Sequence, residues 1–258
     1  MISQNDVTSL ADGLMAQHEA KSVFTPLHNR IRTFEDAYIV KDAFVARQLK
    51  KYNTDICGYK IGLTALKLQE MMKIEEPTEG EVLSTRVHNS PFTIKLADYG
   101  RLGIESEICV VLGEDLRAEC SRSDVAASLS AIHAAYELID DRAADYGVMN
   151  AISLIADNSW NEAVVLGEPG GAALDLSARK GTLTCNGTQI GEGSTRNAIG
   201  HTLDMVVWLA GHLGKRGKYL KAGQLVMTGS LMPPVFPKGG EEYIFTAEGL
   251  APVVLYVE

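Results

Sequence analysis

The sequence predicts a mixed α/β (α+β) protein in which a helical N-terminal part precedes a longer β-rich part. Two observations carry that expectation. Residues 1–80 place their apolar side chains at helical spacing, whereas residues 81–258 hold short apolar runs separated by Gly, Asn, Asp and Pro. The strand candidates are too irregularly spaced for repeated strand–helix–strand units, which argues against a doubly wound parallel sheet. The expected organisation is therefore a helix-rich part over 1–80 and a β-rich domain over 81–258.

In the first helix Val7, Leu10, Ala11, Leu14 and Met15 fall on one face, with Asn5 or Asp6 as the cap. A second helix opens at Thr33-Phe34-Glu35-Asp36, a capping-box spacing in which Thr33 takes an early amide and Asp36 reaches back. It turns Ala37, Val40 and Phe44 inward and ends near Tyr52-Asn53. A third, shorter helix runs from Leu66 to Lys73 and stops before Pro77 and Gly80. Strands are expected at 92–96, 104–112, 134–140, 163–166, 181–185, 188–191, 224–228, 242–246 and 252–257. Asn186-Gly187 between two of them is a hairpin signal, because both positions of such a turn take positive φ. Helices at 122–132 and 198–213 interrupt the series.

Composition narrows the function. The 258 residues include 24 Lys and Arg against 33 Asp and Glu, a formal charge of −9 that argues against binding nucleic acid. With 46% hydrophobic and 22% charged residues the chain can bury a sizeable core. Neither a signal-like start nor an apolar run of about 18 residues is present, so a cytoplasmic location is the default expectation. The cysteines at 57, 109, 120 and 185 lack zinc-site or disulfide spacing, and the six histidines form no i, i+4 pair. The motifs of serine hydrolases, zinc proteases and nucleotide phosphate loops are absent; the nearest dinucleotide-like run, from Gly191 to Arg196, lacks its third glycine.

The informative stretch is Ile104-Glu105-Ser106-Glu107-Ile108. In a strand Glu105 and Glu107 project from one face about 7 Å apart. A face turned to water accounts for that pattern, and so does a cation held between them. Glu137 interrupts a second apolar run, residues 134–139. Three carboxylates without His or Cys make a hard, all-oxygen donor set suited to Mg²⁺ or Mn²⁺. Lys60 lies between Gly58 and Gly62 in a short run with strand propensity, where glycines let a ligand approach the backbone. The run from Val226 through Thr228 and Ser230 to Leu231 reads either as a polar strand end facing an anion or as a turn.

Taken in order, Gly58-Tyr59-Lys60-Ile61-Gly62-Leu63-Thr64, Glu105-Ser106-Glu107, Glu137 to Arg142, Asp157-Asn158-Ser159 and Thr228-Gly229-Ser230-Leu231 resemble the hydratase and decarboxylase branch of the fumarylacetoacetate hydrolase superfamily. The resemblance runs nearly end to end and implies a mixed β-roll with an N-terminal helical part. It implies that Glu105, Glu107 and Glu137 bind a divalent cation, Mg²⁺ or Mn²⁺, and that Lys60 is the catalytic lysine, as proton shuttle or substrate anchor. Leu63, Thr64, Thr228 and Ser230 would bind substrate. Lys41, Ala65 and Asp141 depart from the branch's common Gln, Ser and Ser. The implied activity is the addition of water to a 2-hydroxy-2,4-dienoate, giving a 4-hydroxy-2-oxo acid in aromatic-compound catabolism. Alternatives are decarboxylation of a 2-oxo-3-hexenedioate, C–C hydrolysis of an acylpyruvate and a non-catalytic metal-binding role. The implied assembly is a homo-oligomer.

Overall fold

The computed structural model describes residues 2–197 and 201–258. Its α-helices are α1 (Gln4–Ala20), α2 (Phe34–Tyr52), α3 (Leu66–Met72), α4 (Arg122–Ser128), α5 (Ala151–Ala156) and α6 (Thr202–Lys215). Its strands are β1 (Ile56–Gly62), β2 (Thr78–Leu83), β3 (Val87–Asn89), β4 (Phe92–Ile94), β5 (Leu102–Leu112), β6 (Leu129–Asp140), β7 (Asn161–Leu166), β8 (Lys180–Cys185), β9 (Thr188–Ser194), β10 (Leu225–Ser230), β11 (Glu242–Ala247) and β12 (Val253–Val257). A seven-stranded mixed sheet has the order β2-β1-β10-β5-β6-β7-β3, and a five-stranded one the order β4-β12-β11-β8-β9. The mixed α/β class and the absence of a doubly wound sheet agree with the expectation from sequence.

The long antiparallel pair β5 and β6 is the spine, in register from Leu102 opposite Asp140 to Leu112 opposite Leu129. Its two faces are chemically different because side chains alternate along each strand. One face, with Ile104, Ile108, Val110, Ala134, Tyr136 and Leu138, packs into the main core against Tyr243 and Phe245 of the second sheet and Leu203, Val206 and Leu209 of α6. The opposite face carries the glutamates at one end and a small apolar cluster at the other, where Cys109 and Ala135 meet Val82, Val164, Leu225 and Met227. Helices α1, α2 and α5 form a separate core of Val7, Leu10, Leu14, Val40, Phe44 and Ile155.

Several local expectations shift. The stretch 1–80 is helical through α2, but β1 and half of β2 also come from it and enter the large sheet, so residue 80 lies inside a strand. The cap of α1 is Ser3, which accepts from Asp6 N, rather than Asn5 or Asp6. Thr33 caps α2 as expected, yet Asp36 accepts from Ile2 N at 2.8 Å instead of reaching back, so no reciprocal box forms. The helix expected over 122–132 stops at Ser128. Residues 129–132 are drawn into β6 because β5 would otherwise bury unpaired backbone groups, and Ile132 pairs with Val110. The strand expected over 92–96 ends at Ile94, and the one expected over 188–191 continues to Ser194. Of the helix expected over 198–213, residues 198–200 lie outside the described residues; α6 starts at Thr202, capped by His201. The Asn186-Gly187 turn forms with φ of 49° and 76°.

On the outer side of β1 and β2 a buried ionic cluster joins the sheet to α2 and to the end of α6. Lys41 Nζ lies 2.6 Å from Glu79 Oε1, and Lys218 Nζ 2.8 Å from Glu81 Oε1 and 3.1 Å from Asp42 Oδ1. Arg216 pairs with Asp42 at 2.8 Å and also with Glu79. Three cations thereby cancel three carboxylates, with Lys41 and Glu79 wholly buried. Removing one partner leaves an uncompensated buried charge. Lys41→Met should therefore cost about 3 kcal/mol, measured as a lower urea midpoint with an unchanged slope.

Candidate active site

The order of the large sheet brings together residues far apart in sequence. Lys60 on β1 is in register with Met227 on β10, which is in register with Cys109 on β5. Lys60 thus shares a face with Glu107 and Glu105, and Glu105 lies directly opposite Glu137 on β6. One carboxylate oxygen from each of Glu105, Glu107 and Glu137 lies within 4.8 Å of the other two. Glu107 and Glu137 are buried, while Glu105 is partly exposed. The water-facing reading of the Glu105 and Glu107 face therefore does not hold.

Each carboxylate is individually held. Glu107 Oε2 accepts from Gly229 N at 2.9 Å. Glu137 Oε1 accepts from Asn161 Nδ2 at 2.9 Å and lies 3.2 Å from Lys60 Nζ, whereas its Oε2 is buried with no hydrogen-bond partner. An unpartnered buried carboxylate oxygen, in a set of three oxygen donors, fits a hard divalent cation. Loss of hydration, with repulsion from Glu137 and against the pull of Lys60, pushes the Glu105 carboxyl up to about 7. Burial and the same mutual repulsion hold Glu107 well above the carboxylate range. Burial alone would lower the Lys60 ammonium, but Glu137, Glu105 and Glu107 outweigh it and raise it above the ordinary lysine value. Lys60 is charged in this arrangement, and only 4% exposed.

The backbone around the cluster is shaped for close approach. Leu63 turns the chain with φ 56°, and Thr64 then packs against Gly229, whose φ is 104° and whose added Cβ would stand 2.3 Å from Thr64 Oγ1. Leu63, Thr64 and the end of β10 are therefore adjacent. The Thr228 hydroxyl donates to Ile108 O at 2.8 Å and that of Ser230 to Met232 O at 2.6 Å, so both hydroxyls are engaged within the protein. A small cavity of about 10 Å³ lies beside Thr228 and Ser230. A roomier one, about 410 Å³, is lined by His28, Phe34, Met72, Lys73 and Val148 and includes none of the candidate site residues expected from sequence. The donor chemistry, not cavity size, locates the site.

Other residues shape this region from a neighbouring strand and turn. Gly80 lies opposite Lys60 on β2; a Cβ there would stand 2.7 Å from Asn158 O and 3.1 Å from Lys60 Cγ. Asn158 clamps β2 by accepting from Glu81 N at 2.7 Å and donating to Glu81 O at 2.9 Å. It begins a buried turn in which Asn158, Ser159 and Trp160 all have φ between 51° and 60°, a strained run without glycine. The turn is anchored by Asp157, which pairs with Arg142 and with His18 Nε2 at 2.7 Å, while His18 Nδ1 meets Glu162 at 2.9 Å. His18 is thus a satisfied core histidine that ties α1 to the turn.

Fold and site together define a mixed α/β protein whose three convergent glutamates have the donor set of a divalent-cation site. The chain belongs to the fumarylacetoacetate hydrolase family: the family model described as Fumarylacetoacetate (FAA) hydrolase C-terminal matches residues 68–257. It is 30% identical over 224 residues to a 2-keto-4-pentenoate hydratase of Paraburkholderia xenovorans, covering 85% of this chain and 82% of the relative. It is 28% identical over 264 residues to the 2-keto-4-pentenoate hydratase of Paraburkholderia phymatum, covering 98% of each. Among solved structures, the 4-oxalocrotonate decarboxylase from Pseudomonas putida G7, complexed with magnesium and adipate, superposes with a TM-score of 0.94 at 25% identity, covering 100% of this chain and 99% of that one.

Two outcomes follow from this geometry. Gly80→Ala should displace Lys60 or the Asn158 turn and lower kcat by about 100-fold, while circular dichroism shows a retained fold. The second concerns His18. Burial disfavours its charged form, but Asp157 and Glu162 outweigh this and raise it to about 9. A folded pKa above the unfolded one adds stability that is fully present below about pH 6.5 and is lost as pH rises through about 9. Urea midpoints should fall across that window by the equivalent of about 2–3 kcal/mol, and His18→Gln should remove the dependence.

Proposed function

We propose that this protein is a divalent-metal-dependent hydro-lyase that adds water to a 2-hydroxy-2,4-dienoate of the 2-hydroxypenta-2,4-dienoate type, giving a 4-hydroxy-2-oxo acid. The observation that carries the reading is the convergence of Glu105, Glu107 and Glu137 on one point beside a buried, charged Lys60. The hydratases to which the chain is similar over most of its length support the same activity. Glu105, Glu107 and Glu137 would hold Mg²⁺ or Mn²⁺. When bound, the ion supplies positive charge that stabilises the electron-rich oxygens of a 2-oxo acid.

The chain's own residues do the rest. Moving a proton from the 2-hydroxyl to C5 converts the dienoate to the conjugated 2-oxo-3-enoate. Adding hydroxide at C4 and a proton at C3 then completes hydration. Lys60 Nζ, held as an ammonium by its glutamate neighbours, is the group that donates and recovers a proton or binds the substrate carboxylate. The Leu63-Thr64 backbone lies at the carboxylate end, where positive φ at Leu63 turns the chain. Thr228 and Ser230 contribute position and backbone, since their hydroxyls are engaged elsewhere. Asn161 and the Gly229 amide aim Glu137 and Glu107. A cytoplasmic location and a homo-oligomeric state belong to the same reading, checked by cell fractionation and light scattering. No described helix is long and apolar enough to cross a membrane.

A second reading is favoured by the near-complete superposition on the 4-oxalocrotonate decarboxylase. Decarboxylation of a 2-oxo-3-hexenedioate delivers electrons to the same 2-oxo group, so the glutamates and Lys60 would serve it unchanged. Incubating the magnesium-loaded protein with 2-hydroxypenta-2,4-dienoate and with 2-oxo-3-hexenedioate separates the two. Loss of ultraviolet absorbance without CO₂ is expected; stoichiometric CO₂ from the dioate, with no hydration of the dienoate, would establish the decarboxylase instead. A chelator should abolish turnover and added Mg²⁺ or Mn²⁺ restore it. Lys60→Ala should lose activity by about 100-fold or more in a protein whose circular dichroism is unchanged.

A further inference from the structure

One face of β5 and β6 leads away from the glutamates, and its side chains decide what the far end of a substrate meets. Glu105 pairs with Glu137, Gly103 with Ile139 and Leu102 with Asp140, so Arg101 and Asp141 continue the register just beyond the strand ends. By alternation Arg101 and Gly103 share the face of Glu105, and Asp141 and Ile139 that of Glu137. The first step from the glutamates, about 7 Å along the strands, is apolar. There Ile139 joins the cluster of Trp160 and Leu63, and the Phe236 ring stands 3.4 Å from the position a Gly103 Cβ would take.

The second step, about 13 Å away, is ionic. Arg101 Nε donates to Asp141 Oδ1 at 2.6 Å and its Nη2 pairs with Oδ2, a two-pronged contact. Asp141 is fully buried and also accepts from the Tyr146 hydroxyl at 2.9 Å and from Ala143 N at 2.9 Å. The guanidinium rests near the Tyr146 and Phe236 rings, 5.8 and 4.8 Å from their centroids, with the Arg101 side chain 38% exposed.

We propose that Asp141 cancels the charge of Arg101 and thereby restricts the site to substrates whose end remote from the 2-oxo acid group is uncharged. The inference rests on the proposed function for one premise, that the 2-oxo acid end sits at the glutamates. A free guanidinium offers a fork that matches a carboxylate. Here the fork is filled, and the wall before it is apolar. A second carboxylate would shed its hydration there with no cation to replace it. A monocarboxylic dienoate, by contrast, places a vinyl or alkyl end against Ile139 and Phe236.

The test uses the full-length magnesium-loaded protein and two stable ligands, 2-oxopentanoate and 2-oxohexanedioate, titrated by calorimetry so that no turnover is needed. Wild type should bind the monoacid at least about tenfold more tightly. Asp141→Asn keeps the side chain's shape and an acceptor for Ala143 N but frees the guanidinium charge; it should shift the ratio about tenfold toward the diacid. Adding Arg101→Met to that variant should abolish the gain. Equal affinities in wild type, or an unchanged ratio in folded Asp141→Asn, would overturn the proposal. If Asp141→Asn does not fold, the double variant Arg101→Met with Asp141→Leu, which removes both charges, decides: an unchanged wild-type preference supports the proposal, and a change of about tenfold or more in diacid binding refutes it. Turnover of 2-hydroxypenta-2,4-dienoate is followed in parallel. The expected binding ratios without turnover would sink the hydratase reading and leave the charge cancellation standing; turnover without a binding preference would do the reverse.

Discussion

Glu105 faces Glu137 directly across two paired strands, and Glu107 follows two residues later on the same face. Like charges opposed across a sheet repel, and burial removes the water that would screen them. The rest of the architecture answers that repulsion. Lys60 reaches in from β1, the Gly229 amide from β10 and the Asn161 side chain from β7, so three strands in addition to the two that bear the glutamates supply positive charge or hydrogen-bond donors. A sheet in sequence order would not have met this need. The crossover that puts β10 between β1 and β5 brings residues 225–230 between the strands of Lys60 and Glu107.

The supporting layers are ionic as well, with their charges matched in pairs. The cluster around Lys41 and Glu79 behind β1 and β2 balances its charges internally, and the His18, Asp157 and Arg142 group beneath the turn at Asn158 uses cations to hold a buried carboxylate. These groups grip β2 from two sides and fix the strand against which Lys60 lies. At the glutamates, Glu137 Oε2 is buried without a hydrogen-bond partner, beside two further carboxylates. The supporting ion pairs are matched cation for carboxylate, whereas the three glutamates have one lysine against them.

The legible parts of the sequence were those with local periodicity. Alternation along one strand suffices to put Glu105 and Glu107 on one face, and helical spacing suffices for α1 and α2. Strand register is non-local, so the opposition of Glu105 and Glu137 enters only through pairing, and the joint site through family resemblance. Asn161, Gly80 and the Gly229 amide act by cross-strand geometry or through the backbone, and no residue type announces them. The end of α4 falls earlier than its apolar spacing suggests for a related reason: Leu129 and Ile132 fit a helix face, but pair with β5 instead. Asp157-Asn158-Ser159 stands out by resemblance, but the left-handed backbone of Asn158 to Trp160 does not, because it is built without glycine.

The two faces of β5 and β6 divide labour by residue parity. Even-numbered side chains such as Ile104, Ile108, Tyr136 and Leu138 belong to the main core, while Glu105, Glu107 and Glu137 belong to the site. Tolerance to substitution over residues 104–108 and 136–138 should consequently alternate between changes that unfold the protein and changes that only silence it. A variant library over residues 104–108 and 136–138, sorted for folded protein and separately for turnover, would display two interleaved combs. A one-residue insertion in either strand would exchange the roles of the two faces beyond it.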